Sequence, residues 1–175
     1  MHVKNSLTEY GFISKSLHWL SAILLLIQIP LGFYLVDLAF GEERITIANI
    51  HVTIWLGIFY VIIFSLLNNL ITPVPQLGPA TFIGQRFIAI LNHLLLCLAV
   101  LSITISGILK KLFNGEPLVI FLKEIKIQDN FELADQFYNI HIISNYVLIG
   151  LVALHVSAVI IHKLFFKENL LKKIL

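Results

Sequence analysis

The chain has 175 residues, of which 58% are hydrophobic and 13% charged, with a formal net charge of +2 and a mean hydropathy of +0.92. A soluble domain carries about 25% charged residues, so this composition excludes a water-soluble enzyme and points to the lipid bilayer. The small net charge says little about partners, and no nucleic-acid binding is expected. The single cysteine, Cys97, rules out an internal disulfide and a CxxCH haem attachment; it reads as a small buried hydrophobe.

Residues 16–36, 45–85, 87–109 and 136–162 contain no Lys, Arg, Asp or Glu. Each run is long enough to cross a hydrocarbon core of ~30 Å. The expected fold is all-α: one transmembrane four-helix bundle over residues 1–175, with spans at about 12–38, 45–68, 86–109 and 136–163. The first run carries His18 and Gln28 and lacks a small-residue cleavage site, so a removable signal peptide is not expected.

The chain opens with Ser6-Leu7-Thr8-Glu9, the pattern of a capping box, which predicts a helix starting near Leu7 and running to about Asp37. His18 lies in it, beside Lys15, which can snorkel to the head groups. Trp19 is either an interfacial belt residue or a platform for a flat cofactor. Pro30 and Gly32 suggest a kink. The second span carries His51 and, six residues on, Gly57, where a partner helix could approach closely. Asn68, Asn69 and the prolines Pro73, Pro75 and Pro79 predict a loop.

The third span starts at Arg86, holds His93 and is stopped by Lys110-Lys111. Residues 110–135 mix four lysines with five acids and read as a solvated loop, with residues 118–127 lying on the membrane surface and contact with soluble reactants expected there. The fourth span carries His141, His155 and His162. His141 and His155 are 14 residues apart, ~21 Å of helical rise, and lie within ~40° of each other around the axis. The tail, residues 165–175, is short, basic and amphipathic. Lys and Arg favour the termini and the second loop by seven to five, which places both termini in the cytoplasm.

Of the seven histidines, six fall in or at the edges of spans. Intramembrane ionisable residues are costly and functional by default. His51 lies seven residues from Arg44 and His141 six from Asp135, on the outer side of different helices. Matched depth is what bis-imidazole ligation of one iron requires. On the inner side His155 has two possible partners by depth, His93 and His18. Structural zinc wants four ligands, often with Cys or carboxylate among them. Here the histidines come in pairs, with Gly57, Gly107 and Gly150 to make room between apolar walls, which suits haem. Six-coordinate bis-His iron has no open position and favours electron transfer.

These residues resemble the bacterial di-haem cytochrome b561 family of four-helix inner-membrane proteins. The resemblance covers nearly the whole chain. It rests on Ser16-Leu17-His18-Trp19, the IHVTIWLG segment at 50–57, the Pro73-Val74-Pro75 turn, the NHLLLCLAVL start of the third span and the YNIHIISNYVLIGLVALHVSAVIIHK helix at 138–163. It implies two haems b: His18 and His155 hold the inner one, His51 and His141 the outer one. His93 and His162 are then left at the inner end as non-ligands. They would suit a quinone head group or stand beside the haem.

A branch of this family is similar to superoxide oxidase. That implies an oxidoreductase passing electrons from superoxide or a periplasmic donor to ubiquinone and the quinone pool, across the bacterial inner membrane. Arg44, Lys110, Lys111, Lys123 and Lys126 are candidates for attracting the anion. The chain departs from the family at the end of the second span, where Asn68 and Asn69 stand in place of arginines. Two other readings remain: a haem subunit docking a dehydrogenase or hydrogenase, and a histidine-lined metal-ion or proton transporter. The oligomeric state is not legible.

Overall fold

A computed structural model describes residues 2–7, 9–73, 75, 84–120, 123–167 and 169–175. Four helices are long and apolar enough to cross a membrane, and the protein is all-α, as a transmembrane four-helix bundle requires. They are α1 (Phe12–Asp37), α2 (Glu42–Ile71), α3 (Gln85–Phe113) and α4 (Phe131–Phe165). Helices satisfy every interior backbone group within the segment, which is why apolar spans adopt them in lipid. Leu26, Phe64 and Leu154 are well exposed, as lipid-facing side chains would be. The second loop falls largely outside the described residues.

The chain divides into two compact units, Met1–Leu94 with Val152–Leu175, and Leu95–Leu151. In the first, α1 and α2 run antiparallel and in contact: Asn68 donates to Ser14, Gln28 to the His51 carbonyl and Tyr34 to Glu43. The chain start differs from the capping-box expectation. Ser6 Oγ does accept the Glu9 N–H at 3.0 Å, but the motif closes a turn and α1 begins at Phe12. The first-turn donors go elsewhere, Phe12 N–H to the His2 carbonyl at 2.9 Å. The fold-back brings the Lys4 carbonyl so near Gly11 that a Cβ would sit 2.5 Å from it, so only glycine fits.

Four polar side chains lock this end. Asn5 donates to Thr72 at 3.1 Å and accepts from Ser14 at 2.7 Å, and Asn68 donates to Ser14 at 2.7 Å. Asn5, Ser14 and Thr72 are all buried. A buried polar group without a partner costs about 1–3 kcal/mol, so the network is stable because it closes. Asn68, which stands where arginine was expected, is thus a member of a structural bond network.

In the second unit the core is Ala99, Val100, Ile103, Leu112, Leu118, Ala134 and Leu148. Lys110 and Lys111 do not stop α3. The helix runs on to Phe113 and ends where Gly115 turns left-handed at φ 77°, with Glu116 N–H on the Lys111 carbonyl and Gly115 N–H on the Leu112 carbonyl, a Schellman closure. The segment expected to lie on the membrane surface forms two antiparallel strands, β1 (Leu118–Ile120) and β2 (Lys123–Ile125), paired Leu118 with Ile125. Leu118 is buried and its neighbour Val119 exposed, as successive side chains of a strand point to opposite faces. Asn130 then caps α4, its Oδ1 accepting the Leu133 N–H, and the helix begins at Phe131.

Candidate functional site

The histidines project from long helices, so their spacing is fixed by helical geometry and their surroundings by packing. In the first unit α1, α3 and α4 bring three imidazoles together. The rings of His18 and His155 lie 6.3 Å apart, centroid to centroid, inclined at 48°. His93 stands edge-on to His155 at 5.0 Å and 88°. Depth left His18 and His93 as alternative partners of His155, and both are beside it.

The two contacts differ in what they can hold. Two imidazoles sharing one metal need a metal–nitrogen bond of ~2 Å on each side. A separation of 6.3 Å leaves room for that; 5.0 Å at a right angle is a ring-edge contact. His93 Nδ1–H donates to the Ala89 carbonyl one turn back, at 2.7 Å, which ties that ring to its own helix. Asn92 Nδ2 lies 3.4 Å from His155 Nδ1. An amide presents its oxygen there after a half turn, and accepting Nδ1–H would leave Nε2 with the lone pair a metal needs. Trp19 meets His18 edge-on at 5.7 Å and donates its indole N–H to the Ile174 carbonyl at 3.0 Å. The tail therefore folds back on the start of α1.

His51, on α2, lies over α1. A Cβ at Gly32 would sit 3.2 Å from its Cε1. Gln28, one turn earlier on α1, donates Nε2–H to the His51 carbonyl at 2.9 Å. Trp55 follows one turn after His51, its ring 6.4 Å away.

In the second unit His141 lies over α3 in a closely similar way. A Cβ at Gly107 would sit 3.1 Å from both Cε1 and Nδ1. Its Nδ1–H donates to the Ile103 carbonyl at 2.9 Å. A carbonyl can only accept, so the proton is on Nδ1 and Nε2 keeps its lone pair, the tautomer of a metal ligand held by its other nitrogen. The seats were partly legible: Gly107 serves the expected role, while Gly57 and Gly150 meet nothing within 4 Å among the described residues. Gly32, read as part of a kink, is the second seat. Only the contact between α1 and α2 reveals it.

His162 is buried, with Gln85 Nε2 lying 3.2 Å from its Nε2 and the Phe166 ring 5.2 Å away. Cys97 is half-buried, with no disulfide. Among the described residues no three His, Cys, Asp or Glu side chains group to enclose a metal ion. His18 and His155 face each other as two imidazoles, the donor type of a bis-imidazole haem.

The basic candidates are not alike. Arg44 donates to the Leu38 carbonyl and lies over the Phe40 ring at 4.8 Å. Lys111 pairs with Glu116 at 3.2 Å. Lys123 and Lys126 are exposed. Partial burial works against a charge on Glu116, but hydrogen bonds from Asn114 and Lys111, with the charges of Lys111 and Lys110, outweigh it and hold the carboxyl below its ordinary range.

A sequence model of the family described as prokaryotic cytochrome b561 matches residues 9–175. Cytochrome b561 homolog 2 of Escherichia coli (strain K12) is 31% identical over 122 residues, 69% of this chain. The match spans 65% of that relative's own length.

Proposed function

The chain belongs to the prokaryotic cytochrome b561 family, a membrane electron-transfer protein for which b-type haem is implied, and on that premise we propose that it carries electrons from superoxide to ubiquinone. Two haems b serve, the inner on His18 and His155, the outer on His51 and His141. The observation that carries the inner pair is the 6.3 Å separation of the His18 and His155 rings on α1 and α4. The outer pair draws support from two matching seats, Gly32 under His51 and Gly107 under His141.

Haem held by two imidazoles supplies one-electron exchange at its edge, with no open iron position for oxygen. The protein's own residues do the rest. Ile103 fixes the proton of His141 on Nδ1, which holds the ring orientation without a titrating partner. Apolar walls exclude water from the imidazoles. Lys123 and Lys126, exposed in the loop before α4, raise the local concentration of an anion by long-range attraction. At the inner end the quinone head group is met by His93 or by the buried His162 with Gln85. The Gln85 amide can donate to a carbonyl oxygen, while His93, whose Nδ1–H is held by the Ala89 carbonyl, presents Nε2 as an acceptor to the hydroxyl of the reduced quinone. Both termini face the cytoplasm, and the protein lies in the bacterial inner membrane.

A reduced-minus-oxidised spectrum with haem counting tests the first half, with two haems per chain expected. Addition of superoxide should then reduce the haem and, with ubiquinone present, turn over. A colourless protein that binds zinc would instead support the transporter reading. Haem that ignores superoxide but accepts electrons from a soluble dehydrogenase would support a subunit role.

A further inference from the structure

Gln28 is a polar residue within an apolar span. It lies mid-span on α1 and is 1% exposed, among the most deeply buried side chains of the protein. Burying a primary amide away from water costs several kcal/mol unless its hydrogen bonds are made, and lipid offers no substitute partner. Gln28 satisfies one side only. Nε2–H reaches the His51 carbonyl at 2.9 Å, while the buried Oε1 has no hydrogen-bond partner among the described residues. An orphaned acceptor at such depth calls for a donor.

The surroundings say which donor. Gln28 and Gly32 are one turn apart on α1 and share a face. Gly32 lies against the ring of His51, a Cβ there falling 3.2 Å from Cε1 and 3.9 Å from Nδ1. The Nδ1–Cε1 edge of the imidazole is therefore the edge turned to α1, and Gln28 already holds the same residue by its backbone. We propose that Gln28 is a positioning residue for His51: Oε1 accepts the His51 Nδ1–H, directly or through one buried water, and so orients Nε2 toward the iron. The inference rests on the reading of His51 as a haem ligand. His141 obtains the same service from the Ile103 backbone carbonyl; His51 has a side chain in that place.

An acceptor on Nδ1–H makes the ligand imidazole a stronger donor and favours ferric iron. Gln28→Met keeps the volume and removes the acceptor. The expected result is a protein with two haems whose outer haem is easier to reduce, by up to about tenfold in its ferric–ferrous equilibrium, ~59 mV, with a changed low-spin ferric EPR signal for that haem alone. Two haems with native potentials and EPR signals would overturn the proposal and leave Gln28 as a packing bond. If Gln28→Met holds less haem, the native protein decides. With glutamine side chains 13C-labelled, redox-difference infrared spectra across the outer potential should contain a shifted amide carbonyl. A spectrum without one overturns the idea. His51→Ala separates the two levels, because retention of both haems there defeats the ligand reading and not merely the role of Gln28.

Discussion

The surroundings of His155 and of His141 solve one problem in opposite ways. His155 sits in a crowd: His18 at 6.3 Å, His93 at 5.0 Å and the Asn92 amide at 3.4 Å. His141 has one backbone carbonyl, Ile103, and a glycine beneath it. Side chains hold the first ring; backbone holds the second. A side-chain environment can be altered one residue at a time and can re-form with a neighbour. A backbone environment cannot be mutated away, but it depends on the absence of a side chain at one position.

The largest effect should come from the rings themselves. His141→Ala should halve the haem per protein and leave the other haem's spectrum intact. Two haems surviving would remove His141 from the ligand set. The comparison is sharpened by filling the seats. Gly107→Val adds carbon where a Cβ already falls 3.1 Å from the ring, so it should cost most of one haem. Gly150→Val, which meets nothing within 4 Å among the described residues, should cost none. Equal loss in both variants would show that glycine matters for helix packing and not for His141.

A smaller effect is expected in the crowd. His93→Ala should keep both haems and slow ubiquinone reduction, about tenfold if it touches the head group. Loss of the inner haem instead would make His93, and not His18, the partner of His155, and would break the 6.3 Å reading. The smallest effect lies in the loop after α3. The Glu116 carboxyl is held below its ordinary 4.5, so it stabilises the fold fully above that pH and loses its contribution as pH falls through its lower folded value. Glu116 is partly solvated, so the pair with Lys111 is worth less than about 1 kcal/mol. Glu116→Gln should lower the melting temperature slightly at pH 7, with the difference from the native protein vanishing in acid. A difference constant with pH would show that the carboxyl charge contributes nothing.

Much of this was legible along the chain, element by element. The α1 end at Asp37 and the four spans follow from charge-free runs, because lipid leaves a polar backbone little choice but a helix. Boundaries were less legible. Lys110-Lys111 looked like a stop, yet a lysine can snorkel, and what ended α3 was the left-handed Gly115. Ser6 and Glu9 carried a capping signature, but the first-turn donors of α1 found the carbonyls of residues folding back from the chain start. In the first place one local signal yielded to another, and in the second a local motif closed a turn while bonds from the folded-back chain start began the helix.

The sequence by itself determined the class of the protein and the spacing of its histidines along each helix, because hydropathy and a fixed rise per residue are properties of a single segment. Only the tertiary structure decided which groups stand against each imidazole. Gly32 under His51, Gly107 under His141, Gln28 on the His51 carbonyl and His18 facing His155 each join residues of different helices. The physical reason is that rotation of one helix about its axis, which sets these contacts, is fixed by the neighbours it packs on and by nothing within its own sequence.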